Sequence, residues 1–208
     1  MTASEQDEQT ASLAARKRQL VRDELSAAAM KLLAHQGFEE TTIDQITAAA
    51  GVSRRTFFRY FKSKEDVVIE FLGGVGTRAR AELAARPLDE TPGVALRHAL
   101  SVFVDTCCEH PAKSLPLIRL TLRTPALRAR YLDRRHQWQT ELAAELARRA
   151  GLDTAEDMRP ALTAAIALTA FDAALAQWVS HDGNDDLYGL VDQAFALVAG
   201  SVTADYDG

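Results

Sequence analysis

The stretch that decides the fold is T-I-D-Q-I-T-A-A-A-G-V-S-R-R-T-F-F-R-Y-F-K-S-K-E-D, residues 42–66. Thr42 and Gln45 have the spacing of a capping box ahead of an apolar run, so a helix is predicted to begin there. Gly51 predicts the end of that helix, and Ser53 predicts the N-cap of a second one. Two short helices joined by a glycine turn are typical of a helix-turn-helix.

The second of these helices has an apolar face and a cationic face. Phe57 and Phe61 lie four residues apart and are predicted to be buried together. The opposite face carries arginine, threonine and aromatic side chains, which suit guanine edges, thymine methyl groups and phosphates in a major groove. The residues predicted to read bases are Arg55, Thr56, Phe58, Arg59 and Tyr60, with Arg54 beside them on the same cationic face; the phosphate candidates are Thr42, Ser53, Lys62 and Lys64.

The motif G-V-S-R-R-T-F-F-R-Y-F-K-S-K-E-D, preceded by Thr42 and an amphipathic helix, resembles the N-terminal domain of TetR-family transcriptional regulators. The resemblance covers residues 16–71. It implies a DNA-binding regulator with an all-helical effector domain, and it implies that Thr42 and Lys64 contact phosphates. The rest of the chain resembles the family only as a helical region of suitable length.

Charge is distributed unevenly along the chain, whose net charge is −5. Residues 16–64 contain ten Lys and Arg against five Asp and Glu, whereas residues 65–208 contain fourteen against twenty-one. A basic segment on an acidic body implies a polyanionic partner for that segment alone. The polar, acidic N-terminus is unlike a signal peptide, and no apolar run is long enough to predict a membrane span. We therefore expect a cytoplasmic protein with no membrane partner.

The pattern predicts an all-α fold of about nine helices in two domains. Residues 1–15 are predicted to be a disordered acidic tail, residues 16–62 a three-helix helix-turn-helix domain, and residues 63–208 a helical effector-binding and dimerisation domain. Helix 1 is expected over residues 16–36, with Leu20 and Leu25 in its inner stripe. Prolines and glycines mark the ends of the later helices, which are expected over residues 63–85, 92–110, 114–123, 125–150, 157–181 and 185–199.

Gly73, Gly74 and Gly76 lie inside the predicted fourth helix, where each costs about 1 kcal/mol relative to alanine. The resemblance implies that this helix links the DNA-binding domain to the regulatory domain. The glycines could form a hinge, or they could allow another helix to pack closely. The sequence leaves both interpretations open.

An effector site is expected in the middle of the second domain, with walls from Val102, Phe103, Leu117, Leu120, Leu127, Tyr131, Trp138 and Phe171, and with Arg123 as a further ligand contact. Six arginines between residues 119 and 135 could bind an anion, or they could pair with nearby acids on a solvated face. The segment L-R-T-P-A-L-R-A-R-Y-L, residues 122–132, with Trp138 downstream, resembles an actinobacterial TetR-type subgroup. That resemblance implies an acyl-CoA-like ligand.

The predicted last two helices are apolar over wide faces, so they must bury more than one side. A single short recognition helix reads few bases, and two copies spaced one turn of DNA apart would read a palindrome. A homodimer through the last two helices is therefore expected, as the resemblance also implies.

No constellation for catalysis is visible: the five histidines are scattered, no metal-ligand spacing occurs, and no cofactor motif is present. The prediction is a repressor released from a palindromic operator by an apolar or amphipathic small molecule. The alternative is an effector-independent architectural or division-linked DNA-binding protein of the same fold.

Overall fold

The computed structural model describes residues 3–109 and 111–203, and over these residues it contains nine α-helices and no strand. The all-α fold is confirmed. The helices are α1 (Ala3–Gln36), α2 (Ile43–Ala49), α3 (Arg54–Tyr60), α4 (Lys64–Ala85), α5 (Pro92–Glu109), α6 (Pro111–Arg123), α7 (Pro125–Ala150), α8 (Arg159–Ser180) and α9 (Leu187–Thr203).

Two helices begin earlier than the sequence predicts. α1 begins at Ala3, where a disordered tail was expected, and the Ala, Glu and Gln of this segment have high helix propensity. α6 begins at Pro111 instead of Ser114, because proline at a first helical position has the φ angle of a helix and no N–H group to satisfy.

The chain divides into two compact units, which we call the head, up to Phe71, and the body, from Leu72. The sequence placed the division between residues 62 and 63. The structural division lies inside α4, because Val67 is fully buried in the core of the head. The first two turns of α4 therefore belong to the head.

The core of the head consists of apolar residues from α1 to α4, with Leu25, Ile46 and Phe57 fully buried and Phe61 nearly so. The predicted burial of Phe57 and Phe61 is confirmed. The prediction for Leu20 is wrong, because its side chain is 67% exposed. The inner stripe of α1 starts one turn later than predicted, at the point where α2 and α3 cover it.

The core of the body is built around α8, which packs against α7 and α9. By length and composition α8 is apolar enough to span a membrane, although no such run was predicted from the sequence. Ten of its residues are buried within the body, including Phe171, Leu175 and Trp178. Burial on several sides explains an apolar composition all round this helix.

Candidate DNA-binding surface and effector cavity

The helix-turn-helix is held by the two caps that the sequence predicts. Gln45 N–H donates to Thr42 Oγ1 at 3.2 Å while Thr42 N–H donates to Gln45 Oε1 at 2.9 Å, which completes a capping box at the start of α2. Gly51 adopts a φ of +64°, a conformation that glycine tolerates without strain. Ser53 Oγ accepts a hydrogen bond from Thr56 N–H at 3.1 Å and so caps α3.

α3 presents an exposed stripe opposite its buried face. Arg55, Phe58 and Arg59 are all exposed and lie at positions i, i+3 and i+4, and the exposed Lys62 follows two residues after the helix ends. Phe58 keeps 48% of its surface accessible while its ring contacts the buried Phe57 edge-on at 5.4 Å between centroids. Packing of this kind fixes the orientation of an exposed aromatic ring. The stripe joins two guanidinium groups and one apolar ring.

Arg54 and Thr56, both predicted DNA contacts, also have partners inside the head. Arg54 Nη1 lies 3.0 Å from both carboxylate oxygens of Asp44, which connects α3 to α2. Thr56 is half-buried, and its hydroxyl lies 3.0 Å from that of Ser53. These contacts orient α3 within the motif.

Lys64 is more deeply engaged than a phosphate contact alone requires. Its Nζ donates to the backbone carbonyls of Phe38 at 2.6 Å and of Thr41 at 3.2 Å, and lies 4.0 Å from the centroid of the Phe38 ring. An ammonium group has three N–H donors, so two of them stabilise the loop between α1 and α2. Lys64 therefore fixes the segment that leads into Thr42.

A groove of about 850 Å³ runs along the head between α1 and α3. Arg59 and Tyr60 form one wall, with the Arg59 Cζ atom 4.9 Å from the centroid of the Tyr60 ring. α1 contributes the other wall, which includes Lys17 and Arg18. The cationic surface of α3 thus continues onto α1.

Arg22 belongs to the same groove but is bound internally. It forms an ion pair with Glu70 at 2.9 Å, and its Cζ atom lies 5.7 Å from the centroid of the Phe61 ring. Arg22 thus connects α1 to α4 within the head.

The body contains an apolar cavity of about 60 Å³. Three aromatic rings meet there: the centroid of Phe103 lies 5.0 Å from that of Trp138 and 5.5 Å from that of Phe171. The lining residues are Leu72, Phe103, Cys107, Leu117, Ile118, Thr121, Leu122, Tyr131, Trp138, Phe171 and Leu175.

Part of this lining was predicted from the sequence: Phe103, Leu117, Tyr131, Trp138 and Phe171 line the cavity. Of the other predicted wall residues, Leu127 is fully buried outside the cavity, and Val102 and Leu120 are half-buried and lie outside its lining. Arg123, predicted as a ligand contact, is exposed.

The missed residues follow a signal that the sequence contained. α6 turns Leu117, Ile118, Thr121 and Leu122 toward the cavity, and this i, i+1, i+4, i+5 pattern is the full width of a helix face. The prediction placed Leu117 and Leu120 on the same wall, whereas Leu120 lies outside the face of α6 that lines the cavity. Cys107 and Leu175 likewise lie four residues after Phe103 and Phe171, respectively.

A polar cluster adjoins one wall of the cavity. The hydroxyl of Tyr131 donates to Asp172 Oδ1 at 2.5 Å, and Arg135 donates to the other carboxylate oxygen and to Thr169 Oγ1. Burial, followed by the neighbouring Asp172 carboxylate, raises the pKa of Tyr131 well above its usual value. Tyr131 is therefore a neutral hydrogen-bond donor throughout the physiological pH range.

Burial also raises the pKa of the Cys107 thiol to about 12. Cys107 thus contributes an uncharged, weakly polar atom to the cavity lining and is not a nucleophile at neutral pH. Over residues 3–109 and 111–203, no group of three or more His, Cys, Asp or Glu side chains could hold a metal ion.

Among the six arginines between residues 119 and 135, Arg119 and Arg135 pair with acids of the body. Arg119 Nη2 lies 2.6 Å from Asp182 Oδ1, and Arg135 binds Asp172. The sequence left open whether these arginines bind an anion or pair with nearby acids. Pairing with acids is observed for Arg119 and Arg135. Arg123 and Arg128 are exposed.

Close packing accounts for one of the three glycines of α4. A Cβ atom at Gly76 would lie 2.0 Å from Trp138 Nε1, so no larger residue fits while the indole keeps its position. A Cβ atom at Gly73 would lie 3.3 Å from Arg134 Cζ, and one at Gly74 would meet open space.

Comparison with known proteins agrees with this division of the chain. A family model described as bacterial regulatory proteins of the tetR family matches residues 25–71, and a model described as the MftR C-terminal domain matches residues 90–203. The HTH-type transcriptional regulator TcmR of Streptomyces glaucescens is 35% identical over 157 residues, which cover 73% of this chain and 70% of TcmR. The chain belongs to the TetR family of bacterial transcriptional regulators. The first family model ends at Phe71, where the head ends.

Two further TetR-type relatives are informative. The putative mycofactocin biosynthesis transcriptional regulator MftR of Mycobacterium tuberculosis is 29% identical, with 69% of this chain and 72% of MftR covered. A crystal structure of Thermus thermophilus FadR, a TetR-family repressor in complex with lauroyl-CoA, has a TM-score of 0.59 and 25% identity over 86% of this chain and 93% of FadR.

The protein is accordingly a ligand-responsive DNA-binding transcriptional regulator of the TetR family. TetR regulators bind operator DNA and act as dimers. The alternative of an effector-independent architectural protein is not favoured, because the relatives that match both the head and the body are transcriptional regulators.

Proposed function

We propose that this TetR-family protein is a repressor that binds a palindromic operator as a homodimer and is released by an apolar or amphipathic effector in the body cavity. The observation that carries the proposal is the aromatic cavity of the body, in a chain whose head presents an exposed cationic stripe. Because the proposed partner is DNA, the protein acts in the cytoplasm in this proposal.

The exposed stripe of α3 is the base-reading surface in this proposal. Arg55 and Arg59 can each donate two hydrogen bonds to one guanine, and Phe58 can contact a thymine methyl group. Thr42, Ser53 and Lys62 lie at the ends of α2 and α3, where they can contact phosphates. Lys17, on the α1 wall of the groove, extends the same cationic surface.

The effector side of the proposal depends on the chemistry of the cavity lining. Hydrocarbon and aromatic side chains form nearly all of it, and the hydroxyls of Thr121 and Tyr131 already donate to Leu117 O and Asp172. Such a lining suits an acyl chain better than a polar metabolite. The similarity to FadR, which was crystallised with lauroyl-CoA, supports an acyl-CoA-like ligand.

Exposed arginines beside the cavity would suit the phosphates of such a ligand. Arg123 directly follows the cavity residue Leu122 and is exposed at the end of α6. Guanidinium groups bind phosphates through paired hydrogen bonds. We therefore keep Arg123 as a contact to the ligand headgroup, while assigning it no part in the cavity wall.

The dimer is proposed to form through α8 and α9. Both helices are apolar and still expose large side chains: Leu162 is 55% exposed, Leu197 is 64% exposed and Tyr188 is 38% exposed. Apolar side chains left exposed on two adjacent helices support a self-complementary contact between two copies.

The test is a fluorescence-anisotropy titration with two DNA duplexes at a fixed salt concentration. One duplex is selected by the protein from a random-sequence library, and the other is a scrambled duplex of the same composition. We expect saturable binding of a palindromic sequence at a stoichiometry of one or two dimers. Lauroyl-CoA, stearoyl-CoA and free fatty acids are then added to the complex, and one or more of them is expected to release the DNA.

The outcomes separate the candidate functions. Release by an acyl-CoA but not by free coenzyme A supports the proposed effector class. Specific binding that no acyl-CoA or fatty acid changes would contradict that class. Equal, salt-sensitive binding to both duplexes would contradict sequence-specific repression and support the architectural alternative.

A further inference from the structure

Trp138 contacts the cavity and α4 at the same time. The side chain is 5% exposed, lines the cavity, and packs against the rings of Phe103 at 5.0 Å and Tyr131 at 6.1 Å between centroids. Its indole Nε1 and Cδ1 atoms lie 2.0 Å and 2.5 Å from where a Cβ atom at Gly76 would be. One side chain therefore spans the distance from the ligand space to the backbone of α4.

The glycines of α4 that face α7 follow a helical spacing. Gly73 and Gly76 are three residues apart, and they face Arg134 and Trp138, which are four residues apart on α7. Gly74 points elsewhere and would meet nothing within 4 Å if it carried a Cβ atom. The close approach is therefore specific to one face of α4.

α7 also holds the far end of α4. Arg149 Nη1 donates to Leu83 O at 3.0 Å and to Arg86 O at 2.7 Å, and Arg149 Nη2 donates to Pro87 O at 2.6 Å. These bonds satisfy carbonyls that the end of a helix leaves without intrahelical partners. α4 is thus fixed near residues 83–87, and the indole contacts it at Gly76, about two to three turns of helix earlier.

The cavity volume makes displacement of its lining necessary. Pockets that hold small molecules typically measure about 300–1,000 Å³, whereas this cavity measures about 60 Å³. An effector that enters must move lining side chains, and the indole lies directly against a backbone on its other side. Movement of Trp138 is then also movement of α4.

We propose that Trp138 is the positioning residue that transmits occupancy of the cavity to α4, through its contact with Gly76. This inference rests on the effector site proposed above and adds the route by which that site acts. Because α4 is held at residues 83–87, a shift at Gly76 is increased about twofold at Lys64 if the helix moves as a rigid rod. The first turns of α4 belong to the head, where Val67 is part of the core.

The first experiment needs no effector. Gly76→Ala adds one methyl group that collides with the indole, so it is expected to imitate a bound ligand and weaken operator binding by about 5- to 150-fold, the usual range of allosteric coupling. Gly74→Ala is the matched control, since it makes the same change two residues away in open space, and it is expected to bind like the wild type. The variant Gly76→Ala/Trp138→Leu removes the collision and is expected to recover the affinity.

Equal DNA affinity of Gly76→Ala and Gly74→Ala would overturn the inference, and so would a double variant no tighter than Gly76→Ala. Circular dichroism and thermal melting establish that each variant is folded. If Gly76→Ala unfolds, hydrogen exchange at the amides of residues 73–79 decides instead. Trp138→Leu is expected to speed this exchange, whereas Trp178→Leu, which removes a buried indole that packs against Gly183, is not. Equal exchange in the two variants would also overturn the inference.

Lauroyl-CoA separates failure of this inference from failure of the proposed function. If it releases DNA from the wild type and equally from Trp138→Leu, the inference is overturned and the effector class stands. If it has no effect on the wild type while Gly76→Ala still weakens binding and Trp138→Leu restores it, the transmission route is supported and the effector class fails. In a Trp178→Phe background Trp138 is the only tryptophan of the chain, so its emission reports directly on whether the ligand reaches it.

Discussion

Among single residues, Lys64 has a structural role beside the one predicted for it. The family resemblance predicts a phosphate contact, and in the structure Lys64 donates to the carbonyls of Phe38 and Thr41. Spacing in a sequence cannot reveal the second role, because the acceptors lie more than twenty residues earlier in a loop. Arg55, by contrast, is exposed on α3 and free to serve DNA binding.

Lys64→Ala and Arg55→Ala should therefore behave differently in two measurements. Lys64→Ala is expected to lower the free energy of unfolding by about 1.5 kcal/mol, because hydrogen bonds from a charged group are lost. It should also weaken operator and scrambled DNA alike. Arg55→Ala should leave stability unchanged and cost about 1–3 kcal/mol at one base position of the operator.

Thermal melts and anisotropy titrations on single-base operator variants check this pair. Lys62→Ala serves as the control for Lys64, since Lys62 is exposed and its side chain can lose only a DNA contact. An unchanged melting temperature for Lys64→Ala would contradict the structural role. Equal losses on operator and scrambled DNA for Arg55→Ala would make that residue a phosphate contact.

At the scale of helices, local chemistry predicts where elements begin and end. The caps Thr42 and Ser53, the glycines 51 and 151, and the prolines 92 and 125 each have a local physical effect on the backbone, and the structure has the expected helix ends there. The sequence does not predict which neighbouring helix each helix face contacts. For this reason the wrong face of α6 was assigned to the cavity, and the role of the glycines of α4 stayed open. Both questions required the position of another helix.

The proposed dimer surface can be tested on one helix face. Leu197→Glu puts a carboxylate on the exposed side of α9, where burial between two copies would leave the charge without a partner. We expect the variant to shift from dimer to monomer in sedimentation-velocity experiments and to lose operator binding with it. Leu132→Glu is the matched control, because Leu132 is 51% exposed on α7, outside the proposed interface.

Both variants should keep the helix content of the wild type, since both side chains lie largely in water within a single copy of the chain. If the Leu197→Glu protein remains dimeric, the interface does not include this part of α9. Dissociation by Leu132→Glu instead would place α7 in the interface.

At the scale of the whole molecule, the distribution of charge and of cavities separates two tasks. The basic segment predicted from the sequence forms a cationic stripe and groove on the head, and the apolar cavity lies in the acidic body. The fold, the helix-turn-helix and five of the cavity residues could be predicted from the sequence. The contact between Trp138 and Gly76 could not be predicted, because residues 62 positions apart approach each other only through the packing of two helices.

The small size of the cavity affects the rate of ligand binding as well as the affinity. A cavity much smaller than its ligand cannot accept it at every encounter, so the ligand must wait until the body opens. The observed rate of lauroyl-CoA binding, followed by stopped-flow tryptophan fluorescence, should rise with ligand concentration and then reach a plateau at the opening rate. A rate that stays linear over the whole range would mean an open entrance. With a plateau, the speed of the transcriptional response would be limited by how often the protein opens, however abundant the ligand becomes.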